Sequence, residues 1–202
     1  MFLIMKYREE RIVQVLDYLA SKLVGKRLSK LNALKLVYLA DRDHLRKYGM
    51  PIVRDEYFAM NFGPVASYTK KMIERIEKDP TVTDYISVEK DSRPTVCGRD
   101  VMYVTSRRKP NMGQLSKTEV QSLNVALSQW PLHDDLVAFT HLFPEWKAAK
   151  RKLDAGARRV KMSYLDFFKP CPEAEYCEAD EELVALNRQL FEEEGPFVIG
   201  CC

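Results

Sequence analysis

The stretch from Leu31 to Met72 constrains the fold most strongly, because its first part is a helix with apolar residues around most of its circumference. Apolar side chains occupy nearly every position from Leu34 to Ala40 and leave no wide polar face. A helix of this kind lies in the middle of a domain. Polar residues follow in one turn at 41–44, and Gly49 with Pro51 is predicted to end the helix.

The second part of this stretch contains a Gly-Pro pair. Pro64 directly follows Gly63, and proline favours the first position of a helix because it lacks the N–H group that a helix start leaves unpaired. We therefore expect Pro64 to open a new helix, which ends at Asp79 because the residue before a proline avoids helical angles. The stretch is predicted to form a central helix, a short crossing loop and a second helix.

The remaining elements follow from hydrophobic periodicity. A first helix is predicted from about Tyr7 to Leu23, with Ser29 capping the central helix. The period changes to two between residues 81 and 105, where Val101, Tyr103 and Thr105 alternate on the second strand of a β-hairpin. A capping box from Ser116 to Glu119 opens the helical C-terminal half. Further helices are predicted from near Asp134 to Phe143, from Pro144 to Gly156, from Tyr164 to Phe168 and from Asp180 to Glu194.

This pattern predicts a mainly α fold of the α+β type: a compact multi-helix domain with one small β-hairpin inserted after the third helix. At 202 residues and 46% hydrophobic content, the chain can bury one core. We expect a helical domain over residues 1–169 and an acidic C-terminal helix with an apolar tail over residues 170–202.

The sequence favours a cytoplasmic location. It contains no run of about 18 apolar residues that would span a membrane, and the apolar N-terminal residues 1–5 are too short for the core of a signal peptide. The five cysteines form an odd, irregularly spaced set, unlike a disulfide framework.

Charge is distributed unevenly along the chain. Residues 1–169 carry 31 Lys and Arg against 20 Asp and Glu, whereas residues 170–202 carry one Arg against nine acids. The net charge of +3 therefore conceals a basic body and an acidic tail. Such asymmetry concerns partners and solubility. Either the tail folds back on the body, or the body binds an acidic partner.

The acidic tail also carries apolar residues without an evident role. Leu183, Leu186 and Leu190 form a narrow apolar stripe flanked by Phe191. After Gly195-Pro196, the residues from Phe197 to Ile199 are apolar and belong to no predicted element. They either dock on the body or bind a partner, in which case acidic neighbours would suit a basic protein.

No arrangement of residues typical of catalysis is present. The sequence lacks a glycine-rich phosphate loop, a Gly-x-Ser-x-Gly elbow and a His-Glu-x-x-His helix. Asp41 and His44 share a helix face and could form a metal or acid-base site, but a salt-bridged helix end explains them better. His141 and Trp146 are interpreted as packed or hydrogen-bonded residues. We expect no enzyme activity, cofactor or metal.

Several of these segments together resemble the Panacea domain, the family of SocA-like antitoxins and prophage-associated proteins. The similar segments are Lys35-Leu-Val-Tyr-Leu-Ala-Asp41, Tyr48-Gly-Met-Pro-Ile52, Tyr57-Phe-Ala59 and Phe62-Gly-Pro-Val65, followed by a second block from Leu136 to Trp146. The resemblance covers about residues 7–168. The acidic tail lies outside it.

The resemblance implies a non-enzymatic bacterial antitoxin that is encoded beside a small toxin and neutralises it by direct contact. Family members pair with toxins of different kinds, so the resemblance leaves the identity of the toxin open. Candidate motif or partner-binding residues are Lys35, Tyr38, Asp41, His44, Gly49, Tyr57, Asn61, Gly63, Pro64, His141 and Trp146, with Phe197 and Ile199 in the tail.

An alternative interpretation is a transcriptional regulator. Three helices followed by a hairpin is the order of a winged helix, and basic residues on the third helix and hairpin could contact phosphates. These are Lys70, Lys71, Arg75, Lys78, Arg93, Arg99, Arg107 and Arg108. The helix before the hairpin offers few side chains spaced to recognise bases, which makes nucleic acid the less favoured partner.

Overall fold

The computed structural model describes residues 2–91, 101–132, 135–174, 176 and 179–194. These ranges contain eight α-helices and six short strands, which confirms a mainly helical α+β fold. The helices are α1 (Phe2–Ser21), α2 (Lys30–Tyr48), α3 (Ser67–Lys78), α4 (Lys117–Leu132), α5 (Leu136–Thr140), α6 (Pro144–Asp154), α7 (Tyr164–Phe167) and α8 (Glu181–Glu194). The strands are β1 (Arg27–Ser29), β2 (Tyr57–Met60), β3 (Gly63–Ala66), β4 (Ile86–Asp91), β5 (Val101–Ser106) and β6 (Val160–Lys161).

Helix α2 lies at the centre of the molecule, as predicted. Every residue from Ala33 to Arg46 is buried, and α1, α3, α4, α5, α7 and α8 all contact this helix. Ser29 Oγ accepts a hydrogen bond of 3.2 Å from the Asn32 N–H. Gly49 ends the helix in the left-handed conformation at a φ of +74°, which a residue without a Cβ adopts at little cost. Both predicted caps are confirmed.

The predicted hairpin of β4 and β5 belongs to a three-stranded sheet of order β1-β5-β4. On β5 the alternating residues Val101, Tyr103 and Thr105 are half-buried, whereas Val104 between them is fully buried. Val104 lies between Leu28 of β1 and Val88 of β4 in the antiparallel register. The added strand β1, which the sequence did not reveal, fixes which side of β5 faces the core.

A second sheet of order β3-β2-β6 corrects the interpretation of the Gly-Pro pair. Pro64 lies in strand β3, and the following helix begins only at Ser67. Proline is tolerated here because β3 is an edge strand and the missing N–H is not needed. Asp55 caps α3 instead, since its carboxylate accepts hydrogen bonds from the N–H groups of Tyr68 (2.7 Å) and Thr69 (2.8 Å).

Three local predictions for the C-terminal half are confirmed, although α5 is only five residues long. The Ser116–Glu119 capping box forms, with the Glu119 N–H donating to Ser116 Oγ at 3.2 Å and the Ser116 N–H donating to Glu119 Oε2 at 2.7 Å. Helix α6 follows Pro144 and buries Trp146, Ala149 and Leu153, and Ser163 Oγ accepts a hydrogen bond from the Leu165 N–H at 3.2 Å to cap α7.

Helix α8 packs on α2 through the face that carries Phe191, the residue that flanks the predicted leucine stripe. Val184, Asn187 and Phe191 are buried, and Asn187 Nδ2 donates a hydrogen bond of 3.0 Å to the Arg46 carbonyl. The predicted stripe of Leu183, Leu186 and Leu190 faces solvent instead. Within the described ranges, no helix combines the length and apolar character needed to cross a membrane.

Candidate functional site

Asp41 joins α2 to the segment that follows it. Its Oδ1 accepts hydrogen bonds from the N–H groups of Ile52 (2.8 Å) and Val53 (3.0 Å), and its Oδ2 accepts one from the Tyr57 hydroxyl at 2.9 Å. Burial raises the pKa of the Asp41 carboxyl to about 7, although these hydrogen bonds act in the opposite direction. Both oxygens are occupied by neighbours within the chain, so the structure places Asp41 and Tyr57 in a fold-stabilising pair.

Lys35 binds the β2–β3 hairpin from the middle of α2. Its Nζ donates a hydrogen bond of 2.8 Å to the Pro64 carbonyl, and burial lowers the pKa of the amine to about 7. Gly63 has a φ of +87°, and an added Cβ there would lie 2.8 Å from Lys35 Nζ and 2.7 Å from Thr140 Oγ1. Three predicted motif residues, Lys35, Gly63 and Pro64, therefore meet at one tightly packed point.

Tyr38 and Arg42 connect α2 to α6 and to the chain after α7. The Tyr38 hydroxyl and Arg42 Nε both donate to Glu145 Oε1, at 2.5 Å and 2.8 Å. Arg42 Nη2 also donates to the Lys169 carbonyl at 2.6 Å, and Arg46 Nη1 donates to the same carbonyl at 3.0 Å. A buried ion pair of this kind stabilises only when its remaining hydrogen bonds are made, and these carbonyls provide acceptors.

His44 lies at the end of α2 and contacts different partners from Asp41. Its Nδ1 lies 2.6 Å from the Met50 carbonyl and its Nε2 lies 3.2 Å from Thr118 Oγ1. Burial lowers the pKa of the His44 imidazole, which favours its neutral form. Gly49 lies beside α8, where an added Cβ would be 3.3 Å from Asn187 Oδ1.

His141 and Trp146 form a stacked pair. Their ring centroids lie 3.7 Å apart with an interplanar angle of 11°, and Trp146 Nε1 donates a hydrogen bond of 3.0 Å to the Met60 carbonyl. Through this hydrogen bond, the stacked pair contacts the last residue of β2. Among the described residues, no group of three or more His, Cys, Asp or Glu side chains is arranged to hold a metal ion.

Asn61 and Phe62 form the two-residue turn between β2 and β3, since Met60 pairs with Gly63. Both side chains are exposed, and 59% of Phe62 is accessible to solvent. Two-residue hairpin turns favour Asn, Asp and Gly, so a phenylalanine at the second position is unusual. Lys35 and Trp146 bind the Pro64 and Met60 carbonyls on either side of this turn. They therefore fix the turn that exposes the aromatic ring.

Phe62 borders an open groove of about 730 Å³ that we call the Phe62 groove. Its apolar lining includes Leu31, Met102, Tyr103 and Trp130. Of these, Leu31 is 43% exposed and Trp130 is half-buried. The aromatic residue in the turn was the one feature of the sequence that could have indicated this groove.

Two cationic side chains, Arg27 and Lys30, line the Phe62 groove, and each forms an ion pair with an acidic residue. Arg27 pairs with Asp91 at 3.3 Å, and Lys30 pairs with Glu74 at 2.7 Å. The guanidinium of Arg27 also lies over the Tyr103 ring, 3.8 Å from its centroid. Because the local charges are balanced, the groove suits an apolar protein segment better than an anionic ligand.

The structure thus distributes the predicted residues among several buried contacts rather than one reactive centre. Lys35 meets Gly63 and Pro64, Asp41 meets Tyr57, and His141 meets Trp146. Phe197 and Ile199 lie outside the described residues.

Comparison with known families identifies this arrangement. A protein-family profile described as "Antitoxin SocA-like, Panacea domain" matches residues 34–147, more than half of the chain. The matched range contains every candidate motif residue from Lys35 to Trp146. Searches of curated proteins and of solved structures gave no match. The chain therefore belongs to the SocA-like antitoxin family that carries the Panacea domain.

Proposed function

We propose that this protein is the antitoxin of a toxin–antitoxin system and neutralises its cognate toxin by direct binding in the cytoplasm. The observation that carries the proposal is the family match over residues 34–147. The packing of the motif residues supports it, because their polar groups are engaged with the chain itself and hold a rigid scaffold. Rigid surfaces lose less entropy on binding.

The Phe62 groove is the part of this scaffold best suited to receive the toxin. It exposes Phe62 and Leu31 beside Trp130, and buried aromatic side chains contribute most strongly to protein interfaces. The hairpin that presents Phe62 is anchored by Lys35 and Trp146. An apolar segment of the toxin that enters the groove would bury this surface.

Co-expression with the protein encoded by the adjacent reading frame tests the proposal. We expect that protein to arrest growth alone and to be harmless with the wild-type chain. Phe62→Asp should abolish protection, whereas Met112→Asp, at a residue 47% exposed outside the groove, should preserve it. Protection by Phe62→Asp would exclude the groove, and a harmless neighbour would contradict the antitoxin role.

Neutralisation by direct binding, without catalysis, also predicts a fixed ratio of antitoxin to toxin. Titrating a fixed amount of toxin with this protein should end at a stoichiometric ratio, with the toxin recovered intact after the complex is denatured. Substoichiometric protection, or a chemically altered toxin, would indicate that the antitoxin acts as an enzyme.

DNA binding is a second candidate function, which the sheet order favours. Strand β1 lies between α1 and α2 and pairs with β5, and β4 and β5 follow α3, which gives the sheet order β1-β5-β4. This connectivity is that of a winged helix, with the β2–β3 hairpin inserted between α2 and α3.

The charges on α3 weaken that candidate. Arg75 pairs with Glu9 at 3.0 Å, and Lys70 lies 3.9 Å from Glu74. Cations with nearby acids gain less from phosphate contacts, which depend on net charge. A gel-shift assay with the gene's own promoter decides the matter: a shift that weakens steeply with salt supports DNA binding, and no shift at low salt excludes it.

A further inference from the structure

Helix α8 exposes a row of three leucines although its other face is already packed. Leu183, Leu186 and Leu190 are 41%, 52% and 44% exposed. They recur at three- and four-residue steps and therefore line one side of the helix. We call these residues the leucine row. Single exposed leucines are ordinary, but a continuous apolar row on a solvent-facing helix marks an interaction surface.

Acidic side chains stand at both ends of the leucine row. Glu182 lies four residues before Leu186, and Glu193 lies three residues after Leu190, so each is a surface neighbour of a leucine. Both acids are exposed. The one cation of α8, Arg188, donates to Glu192 at 3.0 Å and is thereby partly neutralised. The apolar row thus lies in a negative field that favours cationic partners.

The charge pattern distinguishes between the proteins that could cover this row. A second α8 packed against the first would bring like charges together, which is unfavourable. The body of the same chain already occupies the opposite face of α8 through Val184, Asn187 and Phe191. A helix with leucines on one side and lysines or arginines beside them satisfies both the apolar row and the acids.

From this geometry we infer that the leucine row is a second docking site, which binds a basic amphipathic segment of the toxin. The inference rests on the proposed antitoxin function for the identity of the partner. It adds the chemistry of the segment, and it assigns the contact to a helix outside the family-matched range of 34–147. Apolar contacts provide most of the affinity, while Glu182 and Glu193 accelerate encounter and orient the segment.

A synthetic helix with leucines on one face and lysines on the other tests the chemistry without the toxin, and its glutamate counterpart is the control. The full chain should bind the lysine peptide and not the glutamate peptide. Leu186→Asp should weaken binding by roughly tenfold or more, which corresponds to the loss of one strong interface contact. This change adds an acid, so a purely electrostatic association would instead become tighter.

Two further variants complete the experiment. Glu182→Lys combined with Glu193→Lys should slow association and reduce its salt dependence, whereas Val24→Asp, at a fully exposed residue outside α8, should change nothing. Equal binding of both peptides, no binding, or undiminished binding by Leu186→Asp overturns the inference. A dimer that Leu186→Asp dissociates in sedimentation also overturns it, since the row would then bind a second copy.

The toxin measurement separates this inference from the proposed function. With a toxin in hand, Leu186→Asp should weaken the complex while Phe62→Asp abolishes it. Peptide binding together with a harmless neighbouring gene would defeat the antitoxin role and leave the docking site standing. Full toxin affinity in Leu186→Asp would defeat the docking site and leave the antitoxin role standing.

Discussion

Gly63 illustrates how a single residue in the motif determines the approach of two elements. The space that a Cβ would need is taken by Lys35 Nζ and Thr140 Oγ1. The hairpin can therefore lie close to α2 and α5 only because this position has no side chain. A sequence reveals such a glycine but not the atoms that surround it.

Gly63→Ala should lower the free energy of unfolding by about 2 kcal/mol or more, because it combines a left-handed backbone with two close contacts. Gly25→Ala is the matched control, since Gly25 has a φ of +72° and nothing within 4 Å of its would-be Cβ. We expect Gly25→Ala to cost only the backbone part, about 1 kcal/mol. Equal losses in urea unfolding would show that the crowding at Gly63 is relieved without cost.

Lys35 makes the stability depend on pH in a defined direction. Its amine has a pKa of about 7 in the folded chain against an ordinary value of 10.5. Between these values the unfolded chain binds more protons, so the free energy of unfolding rises with pH. We expect a rise between about pH 7 and pH 9, and a smaller one in Lys35→Met. Urea unfolding at both pH values measures this rise. An equal rise in the wild-type protein and in Lys35→Met would contradict the lowered pKa of Lys35.

Residues whose role is local could be predicted, and those with distant partners could not. Ser29, Gly49 and the Ser116–Glu119 box act within three or four residues of their partners. Arg42, in contrast, binds Glu145 across 103 residues. Amino-acid spacing contains no information about such a pair, so the sequence indicated only a polar helix end.

At the scale of secondary structure, α3 shows how a distant side chain moves a helix start. Its N-cap residue, Ala66, has no side-chain oxygen, and Asp55 provides the carboxylate from the preceding loop. The Gly-Pro pair indicated the wrong start because proline suits an edge strand as well as a first helical turn. The leucine row of α8 was visible in the sequence, but the side that packs on α2 was not.

Asp55→Ala should destabilise the protein by about 3 kcal/mol, because it leaves the half-buried N–H of Tyr68 and the buried N–H and hydroxyl of Thr69 without their acceptor. Ser116→Ala removes a local cap from α4 and should cost about 1 kcal/mol. Chemical denaturation followed by circular dichroism measures both changes. A smaller loss for Asp55→Ala than for Ser116→Ala would contradict the importance of the distant cap.

At the scale of the whole molecule, one buried helix supports two exposed apolar surfaces. The Phe62 groove lies near the N-terminal end of α2, where Leu31 and Leu34 line it, and α8 packs near the C-terminal end at Arg46. The mainly helical class and the single core followed from composition and period. The second sheet and the groove did not, because both arise from contacts between segments far apart in the chain.

If one toxin occupies both surfaces, the effects of Phe62→Asp and Leu186→Asp should add. Substitutions that share no contacts usually combine within about 0.5 kcal/mol. We therefore expect the binding free energy lost by the double variant to equal the sum of the single losses. Milder substitutions, Phe62→Leu and Leu186→Ala, keep the affinities measurable by calorimetry. A double variant no weaker than Phe62→Leu alone would indicate that α8 does not contact the bound toxin.

The two arginines that hold the Lys169 carbonyl also have a consequence for α8. They fix the chain to α2 only 12 residues before the helix begins. Tyr176 is also buried, five residues before α8 begins, so a partner that draws α8 away from the body can move its first residue by at most about 18 Å while Tyr176 stays in place. A helix held this closely keeps a local concentration of about millimolar or more beside the surface of α2 on which it packs. After the partner dissociates, α8 would therefore rebind to α2 rapidly.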